Sequence, residues 1–400
     1  MIVKRGFLTG AALLLAGLTV LTGCGPADTA SSAEPELVEV VLAPPVEVDR
    51  LPILSSLLEQ PGIAFNGAVL VARGEEVLFR KAYGFANHEQ GEPMALDTRF
   101  RIASLSKQFT AAAILVLQDR GQLSVDDPLC RFFDPCPEAW AQLRLHHLLS
   151  HTGGVVDLMA RPDWGSMRRT YQTSEQLTEA TARYRLAFEP GTRIAYSNAG
   201  YNLLGAVVEK VTGQPFHDWL KAELLEPLQM WNTGYDADTG EVAMGYALLG
   251  GRLTPQPISN ASIVLASGAL YSTLDDLYRW SWALHHGRIL SPESYRMMVT
   301  AQNPVDLEGE IRRPPRGYGF GLFMADLGAR VEPSFRAHQI YHTGSWAGFR
   351  VLATWQPEAD VLAVVLSNHY HARDSVFLIS QQALAEAMGQ DVPARVRPLR

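Results

Sequence analysis

The sequence predicts an α+β fold: one antiparallel sheet formed from both chain ends, with flanking helices and a mostly helical region between them. Three observations carry the prediction. Gly67–Ala72 and Val77–Tyr83 are apolar, β-prone runs separated by Arg73-Gly74-Glu75, which reads as a hairpin near the start. Phe349–Trp355 and Val361–Ser367 flank Pro357–Asp360 and read as a second strand pair near the end. Between the two pairs the apolar residues recur with helical rather than alternating period.

Taken in order, the chain begins with Lys4 and Arg5 followed by an apolar stretch from Phe7 to Thr22. A short basic region before an apolar core of this length reads as an export signal, and it is too short and glycine-broken for a membrane span. Its end, Leu21-Thr22-Gly23-Cys24, resembles the lipobox of bacterial lipoproteins, which implies lipidation of Cys24. The expected organisation is therefore a signal peptide over 1–23, a lipidated Cys and flexible tether over 24–50, a single domain over 51–390, and a tail over 391–400. Pro26, Pro35, Pro44 and Pro45 with Ser31 and Ser32 give the tether its composition. Export also suggests that Cys130 and Cys136 pair as a structural disulfide in their Pro-rich stretch, since no further Cys completes a metal site.

Within the domain, helices are predicted over Ser104–Arg120, Ala199–Thr212, Phe216–Leu225, Leu274–His286 and Arg373–Met388, most of them closed by glycine. The net charge is −8 and the pI about 5.8, which argues against a phosphate-reading nucleic-acid binder. The charge balance hides an asymmetry. Of 34 basic residues only five are lysine: Lys4, Lys81, Lys107, Lys210 and Lys221. Lysine gives up its proton near neutrality and arginine does not, so each lysine is worth a functional question.

Three short motifs carry chemistry. Ser104-Leu-Ser-Lys107 opens a strongly apolar helix, and a spacing of three puts Ser104 beside Lys107. A serine hydroxyl becomes nucleophilic when a neighbouring base takes its proton, and an apolar setting disfavours the ammonium form of lysine. Tyr196-Ser-Asn198 lies in a loop before the next helix, where a phenol can relay protons and an amide can hold the Ser–Lys pair. His342-Thr343-Gly344-Ser345 precedes the last strand pair; Gly344 allows close approach of substrate to backbone, and the Ser345 N–H can join that of Ser104 in an oxyanion hole. A second His-Thr-Gly, at His151–Gly153, enters a polar loop and is assigned a structural role.

In this order and on these elements, the motifs resemble the penicillin-recognising serine hydrolases, most closely the class C β-lactamase and D-alanyl-D-alanine carboxypeptidase group. Further phrases fit: Phe65-Asn-Gly-Ala-Val-Leu70, Asp97-Thr-Arg-Phe100, Leu148-Leu-Ser-His-Thr-Gly153, Gly268-Ala-Leu-Tyr-Ser-Thr273, Tyr318-Gly-Phe-Gly321 and Leu366-Ser-Asn368. The resemblance implies Ser104 as acylated nucleophile, Lys107 as its proton partner, Tyr196 as the acid or base serving the leaving group, and Asn198 as a substrate and network contact. His342, Thr343, Gly344 and Ser345 would line the strand against which substrate lies. No metal or organic cofactor is implied, and the substrate would be a small molecule or peptide: a peptidoglycan stem peptide, a β-lactam or an ester. A lipid anchor would place the protein at a membrane, in the periplasm or on the cell surface.

One departure shapes the substrate expectation. Class C β-lactamases begin the third motif with Lys, whereas His342 is largely neutral at pH 7. The expectation is therefore a carboxypeptidase-like peptidase or esterase, with a class C-like β-lactamase as the alternative. Arg350 is a candidate for the lost charge, although a solvated strand residue is the simpler reading. A metallohydrolase at His369-Tyr-His371 fails for want of a completing ligand, and a non-catalytic envelope binding protein is the remaining rival.

Overall fold

In a computed structural model, residues 46–60, 65–235, 242–256, 260–302 and 317–397 are described. The signal segment and Cys24 lie outside them. Among the described residues the central sheet has eight strands: β1 (Val48–Asp49), β2 (Gly67–Arg73), β3 (Glu76–Tyr83), β4 (Gly317–Tyr318), β5 (Phe323–Asp326), β6 (His338–Trp346), β7 (Phe349–Gln356) and β8 (Val361–Ser367). Their order is β1-β3-β2-β8-β7-β6-β5-β4, antiparallel at every step. Both expected hairpins form, and β2 pairs with β8 to join the two ends of the chain.

The apolar runs explain the centre of this order. β2 and β8 are buried on both faces, so neither alternates. Ala68, Leu70, Val364 and Leu366 face the helical region, while Val69, Val71, Ala363 and Val365 face the opposite core. That second core is closed by α1 (Pro52–Leu58) and by a long C-terminal helix, Arg373–Ala387.

On the other face, α2 (Ser106–Asp119) is buried along nearly its whole length, from Ser106 to Leu117. A helix apolar all round belongs in the centre of a core. Phe109 stacks on Trp280 with ring centroids 3.8 Å apart, and the Trp280 indole N–H donates to Gln108 Oε1 at 2.9 Å. An aromatic pair of this kind contributes about 0.5–1.5 kcal/mol beyond its buried area. Against α2 pack α4 (Asn198–Thr212) and, through the Phe109–Trp280 pair, α5 (Leu274–His285); α3 (Leu145–Leu149) packs on α4, and the C-terminal helix is α6.

Three boundaries differ from the sequence expectation. Residues 48 and 49, assigned to the tether, form β1, and Asp49 meets Lys81 at 2.6 Å. Residues 395 and 396, assigned to the tail, pair with Val331–Glu332, and Pro393 accepts from Gln382 at 2.9 Å. Pairs of two residues are too short for any periodic signal. The predicted helix over Phe216–Leu225 is α-helical only to Leu220 and continues as a π turn. Cys130 and Cys136 are joined by a disulfide beside the helical-region core.

Candidate active site

Ser104 does not open α2; it sits on a single 3-10 turn, Ala103–Leu105, that leads into it. Several contacts fix that turn. Ile102 N–H donates to Leu270 O at 3.0 Å, and Ser106 Oγ donates to Ala103 O at 2.7 Å while accepting from Leu270 N–H at 3.2 Å. Ala103 has φ +48°, a left-handed conformation for a residue with a Cβ. Such a residue costs on the order of 1–3 kcal/mol, and outliers of this kind cluster at functional sites.

Lys107 is fully buried. Its Nζ lies 2.7 Å from Asn198 Oδ1, 2.7 Å from the Ser267 carbonyl and 3.4 Å from Ser104 Oγ. The first two partners only accept. In the neutral amine both N–H groups are therefore used, and the lone pair is left for the Ser104 hydroxyl. Burial lowers the Lys107 pKa to about 7, opposed by the nearby Asp157 carboxylate. Near neutral pH a large fraction of the amine is thus free.

Tyr196-Ser-Asn198 is organised by its middle residue. Ser197 Oγ caps α4 by accepting from Gly200 N–H at 3.1 Å, so Tyr196 precedes the helix and Asn198 begins it. The Tyr196 ring lies 4.6 Å from Lys107 Nζ. The residue is 41% exposed, yet desolvation raises its pKa, against the effect of a hydrogen bond with Ser104. Tyr196 therefore rests as a phenol. Asn198 is held by Asp157, whose Oδ2 accepts from both the Asn198 backbone N–H and Nδ2, each at 2.8 Å. This bond fixes the amide orientation and turns Oδ1 onto Lys107.

His342 and Gly344 face the same side of the sheet as Lys107. His342 is buried, its pKa lowered to about 3 by desolvation with a further push from Lys107. It is neutral, Nδ1 donates to Thr343 O at 2.7 Å, and Nε2 has no hydrogen-bond partner among the described residues. A Cβ on Gly344 would lie 2.1 Å from the Ile102 carbonyl, so what approaches this glycine is the chain's own turn before Ser104. The expectation that Gly344 makes room for substrate is corrected accordingly.

Thr343 and Ser345 point to the opposite face, where they line a cavity of about 170 Å³ with Arg350, Arg373 and Phe377. Only their backbone is available on the Lys107 side. Arg350 is not a freely solvated strand residue: it stacks on Tyr370, donates to Tyr370 O at 2.7 Å and bonds Ser345 Oγ. β5 pairs with β6 no further than Tyr341, so from His342 to Trp346 the described strand partner is β7 alone. Among the described residues, no further strand pairs with the edge beside Ser104.

Two residues were missed as parts of this neighbourhood. His151, with φ +59°, brackets Tyr196: its carbonyl accepts from Ala195 N–H at 2.9 Å and its Nδ1 from Ser197 N–H at 3.1 Å. Nδ1 accepts, so Nε2 carries the proton and donates to Tyr318 Oη at 3.1 Å. The His151 ring also packs 4.2 Å from that of Tyr196. Asp157 is the second. The only sequence signal for either was the Leu148–Gly153 phrase, and it stops short of Asp157. His369 and His371, set aside as a zinc motif, instead lie near His88, whose Nε2 is 3.2 Å from that of His369.

The antiparallel sheet and the cluster set at its edge define a serine hydrolase acting on amide or ester bonds. Residues 54–387 match the family described as Beta-lactamase, and the chain belongs to that family. Esterase EstB from Burkholderia gladioli is 32% identical, over 70% of this chain and 80% of its own. Penicillin-binding protein 4* from Bacillus subtilis (strain 168) is 27% identical, over 83% of this chain and 74% of its own. Among solved structures, the octameric penicillin-binding protein homologue from Pyrococcus abyssi aligns with a TM-score of 0.72 and 28% identity, covering 85% of this chain and 77% of that one.

Proposed function

We propose that the protein hydrolyses uncharged esters or amides through an acyl-Ser104 intermediate, with Lys107 as base and Tyr196 as acid. The observation that carries this reading is the partnering of Lys107: two short contacts to pure acceptors and one longer contact to Ser104 Oγ. As Ser104 Oγ bonds to the substrate carbonyl carbon, its proton passes to Nζ and the carbonyl electrons move to oxygen. The oxyanion is received by the backbone N–H groups of Ser104 and Ser345. When it collapses, the bond to the leaving group breaks and that group takes the Tyr196 proton, which the Lys107 ammonium restores. Water then attacks the ester, and Ser104 leaves as the alcohol.

The same geometry supports a substrate preference. A cationic residue at 342 would attract a carboxylate beside the scissile bond, but His342 is neutral. Arg350 is engaged on the other face of the sheet. An ester or amide without an adjacent carboxylate suits this cleft best, a reading also supported by the likeness to an esterase. Purified residues 25–400 should hydrolyse p-nitrophenyl esters with kcat/KM at least tenfold above nitrocefin and a D-Ala-D-Ala peptide. A dominant nitrocefin rate would overturn the preference. The export pattern of residues 4–24 supports lipidation of Cys24 and attachment of the domain to a membrane.

A further inference from the structure

Asp157 touches neither Ser104 nor Lys107 by hydrogen bond, yet it governs how Asn198 meets Lys107. It stands on the loop that follows α3, half-buried at the N-terminus of α4. One carboxylate oxygen binds Met159 N–H at 2.9 Å, which braces the side chain against its own loop. The other binds both nitrogens of Asn198 at 2.8 Å. The first N–H groups of a helix have no partner inside it, and a carboxylate is the favoured ligand there. Here that ligand also reads the Asn198 side chain.

We propose that Asp157 is a positioning residue: by binding both nitrogens of Asn198 it turns Oδ1 onto Lys107 Nζ and aims the Lys107 lone pair at Ser104. Were the Asn198 amide to flip, Nδ2 would face Lys107 and donor would meet donor. The lysine N–H would then lose an acceptor, and the lone pair would turn from Ser104 to the amide. The proposal rests on the Ser104–Lys107 reading and extends it to a residue with no contact to substrate.

A second consequence follows from charge. Lys107 is faced by Ser104 on its own turn, Tyr196, Asn198 and Tyr201 from α4 and its approach, and the Ser267 carbonyl. It is also faced by His342 from β6, and by His151 and Asp157 from the loop after α3. Asp157 is the carboxylate acting on Lys107 in this set, and it favours the ammonium. Removing its charge therefore lowers the Lys107 pKa.

The test is the pH dependence of kcat/KM for a p-nitrophenyl ester in the full chain carrying Asp157→Asn or Asp157→Glu, with folding checked by circular dichroism. For D157N the account predicts a fall of about tenfold to a hundredfold on the plateau, with the acidic limb displaced about one unit to lower pH. For D157E, which keeps the charge but not the reach, it predicts a reduced plateau and an unmoved limb. D157E alone decides the matter if D157N does not fold. A D157E enzyme with the wild-type plateau, or a D157N limb at the wild-type pH, would overturn the proposal. A Ser104→Ala enzyme that retained full ester turnover would instead overturn the underlying reading, so the two failures are distinct.

Discussion

Among the described lysines Lys107 is the fully buried one, and burial brings its pKa down to about 7. An arginine at this position would stay charged and offer no lone pair. The sign of the pH dependence follows: the free amine is lost as pH falls through about 7, so kcat/KM should drop about tenfold per unit below it. Lys107→Arg should lower kcat/KM by on the order of 10³ and abolish that limb, as general-base catalysis is worth about 10²–10⁴. A stopped-flow or steady-state pH profile measures both, and wild-type rates in the arginine variant would contradict the assignment. The unpartnered Nε2 of His342 belongs to the same logic. It is a buried, neutral acceptor where the family's class C members, by resemblance, carry a cation.

Two elements form the site by their contact: the turn that bears Ser104 and the strand β6. Gly344 is the residue through which they meet, since any side chain there would strike the Ile102 carbonyl. Gly344→Ala should separate β6 from the turn and cost about a hundredfold or more in kcat/KM, because small misplacements at a reacting centre are expensive. Kinetics together with circular dichroism check this; a folded variant with the wild-type rate would refute the contact's importance. Much of this element level was legible beforehand. Apolar runs at both ends announced the sheet, and the Ser104–Lys107 spacing survived even though a 3-10 turn replaced the expected helical start. What stayed hidden was non-local and polar. Asp157 and His151 act through backbone amides of residues some 40 positions away, and such pairings leave no periodic trace in one sequence. Which face Thr343 and Ser345 take depends on the register of β6 against β7, which sequence alone did not specify.

At the scale of the whole molecule, the sheet that joins both chain ends places the site at the edge of β6, between the sheet and the helical region. No helix among the described residues is long and apolar enough to cross a membrane. The proposed attachment rests on the export pattern of residues 4–24 alone. Full-length protein should partition into the detergent phase of Triton X-114 and a Cys24→Ser variant into the aqueous phase; an unchanged partition would refute lipidation. The account as a whole stands on covalent catalysis at Ser104. Acid-quenched turnover of a p-nitrophenyl ester, followed by peptide mass analysis, tests it most directly. The account predicts an acyl adduct on the peptide containing Ser104, absent together with activity from Ser104→Ala. An adduct elsewhere, or turnover that persists in Ser104→Ala, would contradict it.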